Sequence, residues 1–356
     1  MSESLINRLP DELLLLVFSY LDHYDLLRAV SGVNKRWRSL TRHQCLWVRF
    51  HWSRQHAIPL ALFKSLCKKL IGEHTLHLSL TFANNFLQVH SALLPVLRNC
   101  PHLKSIHLSS GCLPTFWDLL QVLPASMQKF HLCNVSIRHS FSYQEIRPSK
   151  SFPQLTNLNL SGCGWFTDSC LHSIIGTQSL THVNLDGCYR LFGGPPTCFN
   201  LASRLKRLSR DLGLSCPHLL HLGLNSVFTL ALRDDDISLN TPNLLNLIVD
   251  PFPQLMELDL SGNKSIVDYV ARRIHSLDHM TIDSFLDSFL RSAPNLELPG
   301  PRLILRHWST DCLKALLVSA SIRTMCSNLS MSLVVDDVSQ LPHLDAENVT
   351  ISSVIA

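Results

Sequence analysis

Residues 9–47 read LPDELLLLVFSYLDHYDLLRAVSGVNKRWRSLTRHQCLW, and their reading decides the architecture. Pro10 stands where a helix can start, because its ring pre-sets φ and its missing N–H is no loss in a first turn. Asp11 and Glu12 follow in that turn, where negative charge suits the helix dipole. Leu13, Leu16, Val17, Tyr20 and Leu21 then share one face at helical spacing, while Leu14, Leu15 and Phe18 occupy the other. A helix that is apolar nearly all round must bury more than one side. A segment of roughly fifty residues has little interior of its own to offer, since small domains bury too small a fraction of their surface. The second face therefore needs another surface to close it, from the rest of this chain or from another protein.

In order and spacing, this segment resembles an F-box. The family's features stand here as Leu9-Pro10, Glu12-Leu13, Val17-Phe18, Tyr20-Leu21, Asp25-Leu26-Leu27, Val33, Trp37-Arg38, Leu40 and Leu46-Trp47. One departure is Asn34, where many relatives carry a cysteine. Gly32 just before it weakens the third-helix junction. The resemblance implies a three-helix module over residues 1–54 that binds the adaptor Skp1. It implies contacts at Leu9, Pro10, Glu12, Leu13, Val17, Phe18, Leu21, Leu26, Leu27, Val33 and Trp37. Through Skp1 it implies a cullin–RING core, that is, an SCF ubiquitin ligase acting in the ubiquitin conjugation pathway.

Composition bounds the remainder. The chain has 356 residues, 46% hydrophobic and only 16% charged, so a large core can be buried. No run approaches the roughly 18 apolar residues that cross a bilayer. The start, MSESLINRLPDE, lacks the charged-then-apolar pattern of a signal peptide. The expectation is an intracellular protein, cytoplasmic or nuclear or both, with no membrane partner. Its twelve cysteines are then expected as reduced thiols. None forms a Cys-x-x-Cys pair, which argues against a zinc site on such knuckles. A net charge of +4 is too mild to argue for nucleic acid.

Internal repetition organises the rest. Six segments place apolar residues at first, fourth and sixth places: Leu103-Ile106-Leu108, Met127-Phe130-Leu132, Leu155-Leu158-Leu160, Leu180-Val183-Leu185, Leu219-Leu222-Leu224 and Leu255-Leu258-Leu260. Turns precede several of them, CPHL at 100–103 and 216–219 and FPQL at 152–155 and 252–255. The starts lie about 24 to 39 residues apart, and the shorter spacings fit a leucine-rich-repeat period. Fourth and sixth places point the same way from a strand. One such strand cannot close a core, but stacked copies can.

Cys163, Cys188 and Asn263 each fall three residues past a sixth place. The units resemble the cysteine-containing leucine-rich repeat, which commonly follows an F-box. In that family a small polar side chain turns inward and hydrogen-bonds the backbone where the strand ends. The resemblance to the F-box/leucine-rich-repeat family implies an α/β fold. It would comprise an N-terminal three-helix F-box at 1–54, a helical linker at 55–74 and a curved leucine-rich-repeat solenoid at 75–300. Degenerate repeats with a cap or tail would fill 301–356. Parallel strands would line the concave side and helices the outside. Phe116 to Leu123, Asp168 to Ile175, Leu201 to Leu212 and Cys312 to Cys326 are candidate helices; Arg302 to Arg306 and Leu329 to Val335 are candidate strands. Within Leu201–Leu212 the leucines make a stripe, while Arg204, Lys206, Arg207 and Arg210 are expected on the solvated side. GGPP at 193–196 and LRDDDISLNTPN at 232–243 read as irregular connections.

The third and fifth places point away from the buried leucines. They are Ser105 and His107, Lys129 and His131, Asn157 and Asn159, His182 and Asn184, His221 and Gly223, Glu257 and Asp259. This column runs from His and Lys through Asn to carboxylates, and suits a hydrophilic protein substrate. Trp165, in the loop after the clearest strand, is a candidate anchor, whereas Phe166 is expected inside. A run of nine basic residues without an acidic one, from Lys35 to Lys69, would speed docking to an acidic partner.

No G-x-S-x-G elbow, phosphate-cradling loop or H-E-x-x-H pair is present. The chain is therefore read as a non-catalytic substrate receptor that needs no cofactor. It would hold a protein for ubiquitination and proteasomal degradation. The rival reading is a repeat scaffold or inhibitor that works outside any ligase.

Overall fold

In a computed structural model of the chain, Pro10 precedes a helix over Asp11–Ser19 (α1). The structure describes residues 5–52, 65–66, 68–81, 90–113, 115–137, 152–174, 178–192, 201–229, 243–275, 280–291, 300–327, 330–336, 338–339, 341 and 349–353. Most of the expected linker, the GGPP loop and nearly all of the 232–243 connection lie outside the described residues. The chain divides into two units, Met1–Ser140 and Phe141–Ala356.

In the first unit α1 is followed by short turns at His23–Asp25, Leu26–Val30 and Ser31–Val33, then by a helix over Lys35–Leu40 (α2). Asp22 caps the first of these turns, accepting from the Tyr24 N–H at 2.7 Å. Asn34 caps α2, accepting from the Trp37 N–H at 2.8 Å. The departure from the family's cysteine thus supplies a helix cap, worth about 1 kcal/mol. Leu14, Phe18, Leu26, Val30 and Leu40 form the interior. Phe18 meets Trp37 edge-on at 5.2 Å. Arg36 ties down the segment before α1, donating to the carbonyls of Asn7 and Leu9 at 2.7 and 2.6 Å and pairing with Asp11. His23 packs between the rings of Trp47 and Phe50, each 5.1 Å away, and burial pushes its imidazole pKa down.

Four parallel strands follow: β1 (Arg49–Trp52), β2 (His77–Thr81), β3 (Ser105–Ser109) and β4 (Lys129–Cys133). Phe50, Leu78, Ile106 and Phe130 lie in register, as do Trp52, Leu80, Leu108 and Leu132. The ladder therefore starts at residue 49, inside the expected 1–54 module and well before 75. Two units escaped the leucine pattern. In the first, Trp47, Phe50 and Trp52 fill the buried places. In the second, Thr75 replaces the leading leucine and donates its hydroxyl to the Trp47 carbonyl at 3.2 Å. Helices at His90–Arg98 (α3) and Phe116–Val122 (α4) connect successive strands.

Among its described residues the second unit carries seven parallel strands: β5 (Asn157–Asn159), β6 (His182–Asn184), β7 (His221–Gly223), β8 (Glu257–Asp259), β9 (Arg302–Ile304), β10 (Met331–Val335) and β11 (Val349–Ser353). Leu158, Val183, Leu222, Leu258, Leu303 and Leu333 are in register. Every apolar residue of the six expected segments is buried. In the β9 unit the first place is Gly300, where a Cβ would stand 1.7 Å from the Ser330 carbonyl oxygen. The backbone of the next unit occupies the leucine's space. The C-terminal stretch, readable either as cap or tail, contributes β11, the last strand among the described residues.

Helices occur at Asp168–His172 (α5), Leu201–Leu208 (α6), Lys264–His275 (α7), Met280–Arg291 (α8) and Thr310–Ser327 (α9). The stripe of Leu201, Leu205, Leu208 and Leu212 is buried. Arg204, expected on the solvated side, is buried as well. It donates to the carbonyls of Tyr189, Leu191 and Val227 at 2.8 to 3.1 Å and lies 5.0 Å from the Phe228 ring centre. Arg207 pairs with Asp168 at 2.9 Å. The charge of Arg204 is tolerated because carbonyl oxygens and a ring face replace its water.

Among the described residues the turn after seven of the strands repeats a single geometry. Two places past the sixth, the backbone is left-handed at Ser110, Asn134, Gly162, Gly187, Ser226, Gly262 and His307, with φ between 54° and 72°. One place later the side chain turns inward, as the repeat resemblance implied. Cys188 donates to the Leu160 carbonyl at 3.2 Å. Asn263 donates to those of Leu224 and Leu260 at 2.8 and 3.0 Å and accepts from the Phe228 N–H. Trp308 reaches the Leu260 carbonyl with its indole N–H at 3.2 Å. Three residue types close the same kind of open carbonyl on the preceding rung, which an unpaired buried oxygen would otherwise make costly.

Candidate functional site

The first candidate site is a face of the helical module. Leu14 and Phe18 turn inward, so the residues at the complementary positions of α1 point to solvent. Leu13, Leu16, Val17, Tyr20 and Leu21 are all exposed, Leu16 by 54% and Tyr20 by 83%. Ile6 and Val33 are exposed too. A contiguous apolar surface of this kind marks an interaction site. Pro10 and Glu12 are exposed beside it; Leu9, Leu27 and Trp37 are half-buried. Of the expected contact set, Phe18 and Leu26 are each only 1% exposed and fill the module's own interior. They hold the face from behind. Ile6, Leu16 and Tyr20 enlarge it. The expected basic docking patch is only partly free. Arg36 is spent on the N-terminal segment, Arg49 stands on β1, and Arg54 and Lys64 lie outside the described residues.

The second candidate site is the polar side of the strands. In the first unit the third places are Arg49, His77, Ser105 and Lys129, and the fifth places are His51, Ser79, His107 and His131. The β1 unit has no leucine at its buried places and the β2 unit lacks the leading one, so neither pair was read from the sequence. His51 Nδ1 lies 3.0 Å from Ser79 Oγ, and the rings of His107 and His131 meet edge-on at 5.8 Å. Burial, then the neighbouring His107 and Lys129, pushes His131 down to about 4. Burial also lowers His77, helped by Arg49, Lys104 and Lys129. His107 is lowered by burial and His51.

In the second unit His182 and His221 stack at 4.2 Å. Glu257 meets Arg302 at 3.2 Å and His221 at 3.9 Å, so the acidic end of the column is internally paired rather than free. The fifth places also serve their own strands. Asn159, Asn184 and Asp259 each accept the N–H two residues on, at 3.0, 2.9 and 2.9 Å, closing the turn that ends their own strand. Asn157 stays half-exposed at a third place. Ile304 and Val334, buried at the fifth places of β9 and β10, end the polar column. Trp165 stands off the column in the loop after β5, half-buried and edge-on to buried Phe166 at 5.8 Å. Tyr189, which the sequence reading passed over, is exposed beside Gly164, where a Cβ would collide with its ring at 2.2 Å.

Gly223 has no side chain with which to close its turn. Asp186 supplies the acceptor from the neighbouring rung, taking the Asn225 N–H at 2.8 Å in the space a Cβ at Gly223 would crowd. Burial pushes the Asp186 carboxyl up to about 6. An unfolded aspartate ionises near 4, so the unfolded state gives up its proton first. This group therefore weakens the fold progressively between about pH 4 and pH 6, and by a constant amount above that. Asp186→Asn keeps the acceptor and removes the charge. Its stability relative to the native chain should rise by roughly 1–2 kcal/mol from pH 4 to pH 7 in urea titrations. A difference that stays flat across that window would contradict the assignment.

Among the described residues, no group of three or more His, Cys, Asp or Glu side chains could hold a metal ion. No described helix is long and apolar enough to cross a membrane.

The helical module with its outward apolar face is an F-box-like domain: residues 6–52 match the F-box-like family model. Over 191 residues the chain is 27% identical to F-box/LRR-repeat protein 12 of Homo sapiens. That stretch is 51% of this chain and 56% of the human protein, so the likeness spans little more than half the length of either.

Proposed function

We propose that the chain is the substrate-recognition subunit of an SCF ubiquitin ligase. The F-box-like domain docks on Skp1, and through Skp1 on a cullin–RING core. The repeats hold a protein substrate so that it is ubiquitinated and passed to the proteasome. The observation that carries this reading is the row of exposed apolar side chains from Leu13 to Leu21 on a domain whose own interior is already filled by Leu14, Phe18 and Leu26. An exposed apolar face of this kind marks a surface for another protein to cover. The pairing of an F-box with leucine-rich repeats in the name of the human relative agrees with it. The ligase's chemistry resides in the other subunits. This chain contributes position, raising the effective concentration of a substrate lysine near the charged conjugate. Size-exclusion chromatography of the purified chain with purified Skp1 tests the first step. A one-to-one complex is expected, and separate elution of the two proteins at micromolar concentration would refute it.

A further inference from the structure

We propose that the strand face of the first unit binds an acidic polypeptide segment, carboxylate-rich or phosphorylated, lying across β1 to β4. This names the substrate class for the receptor reading above and rests on it. Arg49 and Lys129 occupy third places on the outer strands, and Lys104 immediately precedes β3. All three lie close enough to His77, on the strand between them, to help hold its imidazole neutral. Among the described residues none of the three makes an ion pair, whereas Arg302 on the second unit's strands is bridged to Glu257. No described third- or fifth-place residue of β1 to β4 is acidic. Between the cations stand neutral imidazoles at His77, His107 and His131 and hydroxyls at Ser79 and Ser105. Each neutral imidazole keeps one N–H donor, and each hydroxyl another. Unpaired cations interleaved with neutral donors form the setting in which carboxylate or phosphate oxygens gain charge-assisted hydrogen bonds.

The spacing sets the register. Strands lie about 4.8 Å apart, so three steps from Arg49 to Lys129 cover roughly 14 Å. An extended peptide advances about 3.3 Å per residue, so two acidic side chains four residues apart reach both ends. Single-stranded nucleic acid fits less well, because it is held by stacking platforms of aromatic side chains and no Phe, Tyr or Trp occupies a third or fifth place here.

The test uses the full chain and three fluorescent peptides of one Gly/Ser sequence, carrying two phosphoserines four residues apart, two glutamates at the same places, or two serines. By fluorescence anisotropy, at least one acidic peptide should bind ten times more tightly than the serine peptide, and more weakly as salt rises. The phosphoserine and glutamate arms show which source of charge the face prefers. Combined Arg49→Glu, Lys104→Glu and Lys129→Glu should abolish that preference while retaining Skp1 binding and the melting temperature. Should the triple variant fail to fold, Lys104→Glu and Lys129→Glu singly should each weaken the acidic peptide several-fold. Equal binding of all three peptides, unchanged affinity on charge reversal, or displacement by an equimolar single-stranded oligonucleotide overturns the proposal. Peptide binding without Skp1 binding would remove the ligase reading and leave this face standing; the converse would do the opposite.

Discussion

Replacing Leu13 and Val17 together with aspartate is expected to weaken binding to Skp1 by a factor of a thousand or more. Leu13 and Val17 are 47% and 42% exposed on α1, so the free chain loses little by the change. Covering each apolar group would contribute about 1.5–3 kcal/mol in the complex. Burying an unpaired carboxylate in its place adds a penalty of several kcal/mol. Even the lower sum exceeds the roughly 4 kcal/mol that a thousandfold change requires. Folding stability should stay within about 0.5 kcal/mol, the usual range for surface substitutions. Phe18→Ala gives the contrasting result: it empties the module's interior and should cost about 3–5 kcal/mol of folding stability. Calorimetric titration with Skp1 and urea unfolding separate the two effects. If the double aspartate variant still binds within tenfold of the native chain, Skp1 does not sit on this face.

Asn263→Ala should be among the most damaging single changes in the repeats, at about 3–5 kcal/mol. The side chain is fully buried and makes three hydrogen bonds, to the Leu224 and Leu260 carbonyls and from the Phe228 N–H. Truncation strands these backbone groups away from water, at about 1–3 kcal/mol each, although Trp308 still donates to Leu260. Asn263→Cys should cost less, because Cys188 at the equivalent place still donates to a neighbouring carbonyl. Urea unfolding monitored by circular dichroism checks the order. A loss below about 1 kcal/mol for the alanine variant would mean that the rungs close without this residue.

The six leucine-bearing rungs were legible because the first, fourth and sixth places are apolar for a reason the strand's two-residue alternation makes visible. The remaining rungs were hidden where another solution fills the same space. Thr75 satisfies a buried carbonyl in place of packing a leucine, and Gly300 yields to the Ser330 backbone. On α1, helical spacing groups Leu13 with Val17 and Leu14 with Phe18 but does not say which pair faces inward; the partner elements decide that. The turn-closing role of Asn159, Asn184 and Asp259 was not legible, because an amide or carboxyl group offers its oxygen equally well to a ligand or to its own turn. Arg204 was misread because charge in a sequence signals solvent, and only the three carbonyls around it show otherwise.

The indole of Trp47 belongs to two constructions at once: it packs against His23 in the helical module and takes the leading buried place of the first rung. Both belong to the one unit Met1–Ser140, so on the proposed reading the Skp1-docking face and β1 to β4 would turn together. Cargo gripped on those strands would be carried at a set bearing from Skp1. Which of its lysines became tagged would then depend on where they happened to project, and lengthening the cargo by a few residues on one side of the grip would move the tag.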